Sequence, residues 1–147
     1  MYAINKANRQ ELFGTTAEEQ VRVAQVRGVY DDLKITFFRY VVFLSKEQYA
    51  ECGRKNFDEK VFPLLKKLDA VLAGHTFAVG NNVTFVDFPV FEIAENLNKF
   101  DASVLNSLTN LKAHHTNVAN LEPIKNYLSS DRFAAGPFYP PHWETFY

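Results

Sequence analysis

Cysteine is almost absent from this sequence: Cys52 stands alone, so no internal disulfide framework can hold the chain. Long apolar runs are missing too. No stretch reaches the ~18 uninterrupted apolar residues of a membrane-crossing helix, and Arg39 interrupts the strongest candidate, 35–44. Neither sign of charge dominates. The 16 Lys and Arg against 17 Asp and Glu leave a formal net charge of −1, which offers no basic field to nucleic acid and no polybasic patch to a membrane. The first residues lack the charged, apolar, small-residue order of a signal peptide. No repeat, low-complexity tract or strand-like alternation of useful length is seen. A cytoplasmic protein with no nucleic-acid or membrane partner is the expectation.

What the chain does have is large apolar side chains: 14 Phe and 7 Tyr in 147 residues. A domain of this size buries roughly 70% of its unfolded surface, enough for a real core. The patterns are helical throughout. Residues 1–13 read as a short helix with Ala3, Ile4 and Ala7 on one face and Gly14 as its stop. A capping box follows, Thr16 with Glu19 or Thr15 with Glu18, and opens a helix expected to reach about Leu44. Gly28 inside it signals close packing or a bend. Residues 46–56 are polar and mixed and read as a connection. The cleanest period follows in 57–73, with Phe57, Val61, Leu64, Leu65, Leu68, Val71 and Leu72 on one face and Asp69 away from it. Pro63 is expected to bend this helix.

The centre of the arrangement is predicted at 83–88. Thr84 and Asp87 are spaced as a capping box, with the Thr84 hydroxyl accepting from the Asp87 amide and the Asp87 carboxylate accepting from the Thr84 amide. Val83 and Phe88 are placed to close as a hydrophobic staple. The helix after it, 85–98, is apolar nearly all round and so should be buried at the middle of the domain. Pro89 is expected to kink it. Shorter helices are predicted at 101–107, 110–119 and 123–130, with Pro123 in a first turn. Residues 134–147 hold three prolines and Gly136 and read as irregular chain. The fold class is all-α, with five to six main helices.

The stretch 80–88, Gly-Asn-Asn-Val-Thr-Phe-Val-Asp-Phe, resembles the capping box and staple in the helical C-terminal domain of glutathione transferases. Leu108-Thr109-Asn110-Leu111-Lys112 and the run 121–133 are similar to the end of that domain in the mu class, and the likeness stays in register over nearly the whole chain. The resemblance implies residues 1–14 as the last helix of a thioredoxin-like domain and 15–147 as the helical domain. It implies conjugation of glutathione to hydrophobic electrophiles, with glutathione as co-substrate and no tightly bound cofactor. The catalytic Tyr and the Gln-Ser pair that hold and activate glutathione belong to the thioredoxin-like domain and have no counterpart in these residues, so no catalytic residue is assigned and the chain alone is expected to be inactive. A homodimer, or a thioredoxin-like domain, is the implied protein partner. The alternative function is a non-catalytic helical binding or scaffolding module, or a crystallin-like structural protein.

By the same resemblance Asp32 meets the α-amino group of glutathione in the partner subunit, a carboxylate against an ammonium. Phe38, Val42 and Tyr139 line the pocket for the hydrophobic co-substrate. Val42 stands where the family has a Tyr whose hydroxyl assists some reactions. Read from the residues alone, Asp31 and Asp32 form a solvated face and Phe38 packs in the core. Thr84 and Asp87 are structural capping residues. His114 and His115 are adjacent and therefore point apart, and no second His lies four residues away, so no metal site is assigned. Cys52 reads as an idle thiol.

Overall fold

The computed structural model describes residues 9–133. The first part of the helix expected over 1–13, the tail 134–147 and Tyr139 lie outside the described residues. Among those described there is no strand, only two isolated bridges, Phe77 with Gly80 and Val79 with Asn82. A short 3-10 turn, Gln10–Phe13, leads in and stops at Gly14.

The first long helix, α1 (Ala17–Phe37), starts as the sequence predicts. The Glu19 amide donates to the Thr16 hydroxyl at 3.1 Å, and the Thr16 amide donates back to the Glu19 carboxylate at 3.2 Å. Val23, Val26, Tyr30, Leu33 and Phe37 recur every three or four residues and form its buried seam. The helix continues as a wider π turn, Phe38–Val42, and ends two residues short of the expected Leu44. Gly28 faces open space: a Cβ there would meet no atom within 4 Å, so the close packing expected of it is not found in this chain.

Residues 46–72 form one helical run, called α2 here. The segment 46–56, read as a connection, is therefore helical. Its signal was a second capping box at Ser45-Lys46-Glu47-Gln48. The Gln48 amide donates to the Ser45 hydroxyl at 3.3 Å, and the Ser45 amide donates to the Gln48 side chain at 2.9 Å. Two π turns, Tyr49–Gly53 and Phe57–Val61, interrupt its α geometry. At the first, the Tyr49 ring lies so close that a Cβ on Gly53 would sit 2.3 Å from it. Pro63 falls just after the second, in the first turn of Phe62–Leu72, where its missing amide has no regular partner to lose. The bend expected there takes the form of a change in helical register. Phe57, Val61, Leu65, Leu68 and Leu72 are buried, while Leu64 and Val71 are half-buried.

The loop after α2 turns at Gly80, whose φ of 86° favours glycine. Helix α3 (Asp87–Asn106) begins two residues later than predicted. Pro89 therefore lies in its first turn and causes no kink. The break lies instead at Asp101 (φ −164°, ψ 100°), whose carboxylate accepts from the Ser103 amide at 3.0 Å and from Arg54 at 2.7 Å. The helices predicted at 85–98 and 101–107 are the two arms of this kinked element. Helices α4 (Thr109–Ala119) and α5 (Glu122–Leu128) follow as expected.

The core lies between α1 and α2 on one side and α3 and α4 on the other. Two charged groups lock it by capping across elements. Asp69 of α2, read as a surface charge, accepts from the Leu111 amide at 2.8 Å and from the Asn110 side chain at 2.9 Å, satisfying the start of α4. Arg22 of α1 donates to the carbonyls of Val71 at 2.5 Å and Ala78 at 3.1 Å, closing the end of α2. Sequence spacing cannot reveal such caps, because their partners are ~50 residues apart.

Candidate functional site

Two places in the fold gather side chains with chemistry. The first surrounds Asp87, which is fully buried at the start of α3. Its Oδ1 accepts from the Ala78 amide at 2.7 Å and lies 2.7 Å from His114 Nε2. Its Oδ2 accepts from the Thr84 amide at 2.7 Å and from the Thr84 hydroxyl at 2.9 Å. Half of the predicted box thus forms. In the other half the Thr84 hydroxyl donates to the carboxylate, because the Asp87 amide goes to the Thr84 carbonyl at 3.2 Å. The carboxylate has four partners and no direction left for a ligand. His114, excluded as a metal ligand on its sequence spacing, packs inside the domain. It is 2% exposed, and its Nδ1 has no partner among the described residues. His115 points the other way. It stacks on Phe91 with ring centroids 4.8 Å apart, and its hydrogen bond at 2.5 Å holds the Glu95 carboxylate below its ordinary value.

The second place is an open groove of about 470 Å³ at the end of α1, lined by Lys34, Ile35, Phe38, Arg39 and Phe43. The π turn builds it. The Phe43 amide donates to the Phe38 carbonyl at 2.9 Å, an i to i+5 bond, which places the two rings 5.4 Å apart, edge to face. The wider turn also lets adjacent Val41 and Val42 both face the core, leaving Phe43 57% exposed. Ile35 is 60% exposed along the same wall. Below Lys34, burial first and the nearby Glu92 second push the Tyr30 phenol up to about 12, so it stays neutral.

The site residues inferred from the sequence fall around this groove unevenly. Phe38 lines it and is half-buried. Val42 is fully buried one turn further on and is not among the lining side chains. Asp32 is exposed one turn before Ile35, while Asp31 is engaged by Arg27 at 2.7 Å. Tyr139 lies outside the described residues. The lining by Lys34, Ile35, Arg39 and Phe43 was not foreseen. Its only sequence signal was a basic-apolar alternation that reads as an ordinary amphipathic helix end. Val83 and Phe88 do not simply staple the cap to the core: both line a separate cavity of about 630 Å³, together with Leu12, Leu121 and Ile124. Among the described residues no three His, Cys, Asp or Glu side chains converge as for a metal ion, and no helix is long and apolar enough to cross a membrane.

Solved structures define the class of fold. The domain aligns with monomeric Na-GST-3, a glutathione S-transferase of the hookworm Necator americanus, at a TM-score of 0.68 over 90% of this chain and 67% of that one, with 17% identity. It aligns with a rat hPGDS complexed with a quinoline at a TM-score of 0.62 over 80% of this chain and 59% of that one, with 24% identity. These likenesses show the architecture alone. Residues 31–131 match the family described as Glutathione S-transferase, C-terminal domain, and the chain belongs to that family. Among its curated relatives are human Glutathione S-transferase Mu 3, 28% identical over 131 residues, and the class-mu 26 kDa isozyme 7 of Fasciola hepatica, 26% identical over 140 residues. The alignments take in 89% and 90% of this chain but 56% and 59% of those relatives, so the chain spans little more than half their length.

Proposed function

We propose that this domain forms the electrophile side of a glutathione transferase site. The groove of Ile35, Phe38 and Phe43 receives the hydrophobic co-substrate, with Tyr139 adding to it from the tail and Val42 supporting its floor. Asp32 meets the α-amino group of glutathione held by the partner subunit of a cytoplasmic homodimer. Residues 1–14 complete a thioredoxin-like domain and 15–147 form the helical one. The observation that carries this reading is the π turn at Phe38–Val42, which opens an aromatic groove at the end of a helix whose seam is otherwise buried. The described lining side chains include no carboxylate, imidazole or thiol to serve as a base toward glutathione. Binding of the electrophile and ionisation of the sulfur are therefore assigned to different domains.

The test is calorimetric titration of the 147-residue chain with an unreactive aryl analogue and, separately, with glutathione. The aryl compound should bind, and Phe43→Ala should weaken it about fivefold, the loss of one aromatic contact. Glutathione binding tighter than millimolar, or turnover of an aryl halide with glutathione by the mass-verified chain alone, would overturn the division of labour.

A further inference from the structure

Resting on that reading of the groove, we infer that its preferred electrophiles carry a negative charge, a carboxylate or sulfonate on an apolar ring, and that Lys34 and Arg39 select them. Both cations line the groove alongside Ile35, Phe38 and Phe43. What sets them apart from other exposed cations is this apolar lining, and they differ from the arginines engaged elsewhere in the domain. Arg9 is paired with Glu11, Arg27 with Asp31 and Arg54 with Asp58 and Asp101, while Arg22 is spent on two carbonyls. Among the described residues the Arg39 side chain makes no hydrogen bond or ion pair, and Lys34 has no carboxylate partner, only the face of Tyr30 at 5.9 Å.

The structural reading of these two cations is complementarity to the negative end of α1. That end amounts to about half a unit charge, so about one and a half positive charges remain in excess. Of the nearby acids on α1, Asp31 is engaged by Arg27, and Asp32 is seven residues before Arg39, about 10 Å along the axis. An apolar wall lined also by two cations without a carboxylate partner among the described residues matches a ligand that is flat and greasy at one end and anionic at the other. A purely apolar ligand would gain nothing from them.

The experiment compares 2-naphthoate with its neutral isostere 2-naphthamide, titrated into the 147-residue chain at neutral pH and low salt. The carboxylate should bind about tenfold tighter, as two partly exposed ion contacts allow, and the excess should shrink at 0.5 M salt. The double variant Lys34→Gln, Arg39→Gln should equalise the two compounds while leaving the amide's affinity and the circular dichroism unchanged. The charge-matched control Lys66→Gln, Lys67→Gln should keep the preference. Equal binding by the unaltered chain, or a preference that survives in the Lys34/Arg39 variant, would overturn this inference and leave the groove as an electrophile wall. If neither compound binds, the groove reading falls and takes this inference with it.

Discussion

Asp87 and Arg39 are both charged side chains on helices of one small domain, and their surroundings differ in nearly every respect. Asp87 is fully buried and accepts from Ala78 and Thr84, with His114 as its fourth partner. Arg39 is exposed beside an apolar groove and lacks a partner among the described residues. A charge taken out of water must be satisfied from within the protein, and once it is, nothing is left over for a ligand. An exposed charge is satisfied by solvent and stays available. The buried cluster holds the domain together, while the open groove can recognise something.

The sharpest way to break this contrast is to remove Asp87. Asp87→Ala should destabilise the domain by about 3–5 kcal/mol, since it strands the Ala78 amide, the Thr84 groups and the imidazole together. Urea denaturation measures it, and a loss below about 1 kcal/mol would mean that the cluster is not structural. His114→Ala comes next, at about 2–4 kcal/mol for a lost hydrogen bond and a cavity. His114→Phe refills that volume and removes the partnerless Nδ1, so it should change stability by no more than about 1 kcal/mol, because Asp87 keeps its other three donors.

Phe43→Ala should invert the pattern. More than half of its surface is already exposed, so unfolding should shift by less than about 1 kcal/mol while aryl binding weakens about fivefold. A large stability loss with unchanged binding would place the groove on the structural side.

The smallest effect separates a half-buried pair from both extremes. The His115 hydrogen bond lowers the Glu95 carboxylate below its ordinary value, so its contribution is complete above that value and is lost as pH falls through the folded one. The stability difference between the protein and Glu95→Gln should be under about 1 kcal/mol near neutrality and should shrink toward zero below about pH 4. A difference that stays constant down to pH 3 would show that the pair contributes through packing on Phe91 instead.

Much of the fold was legible because its signals are local. The Thr16 box, the 57–73 period and the start of α5 each depend on residues within a turn or two. The misreadings have equally definite causes. Residues 46–56 read as a connection on their polarity alone, and the Ser45 box that opens the helix was missed. Pro89 was expected to distort a helix interior, whereas it lies in the first turn of α3, and the bend expected at Pro63 takes the form of a register change inside α2. At the groove Phe38 is among the lining side chains, whereas Val42 is fully buried and is not. The extra residue in the π turn shifts what a strict 3.6-residue period would place on the surface.

The sequence by itself determined the helical class, the apolar seams and the family, since all three are written in spacing and residue type along the chain. Only the tertiary structure decided that His114 closes the Asp87 cluster, that Asp69 and Arg22 cap helices other than their own, and that Lys34 and Arg39 stand beside an aromatic groove without a carboxylate partner among the described residues. Those facts concern groups brought together across tens of residues, or left apart, and separation in space has no local signature.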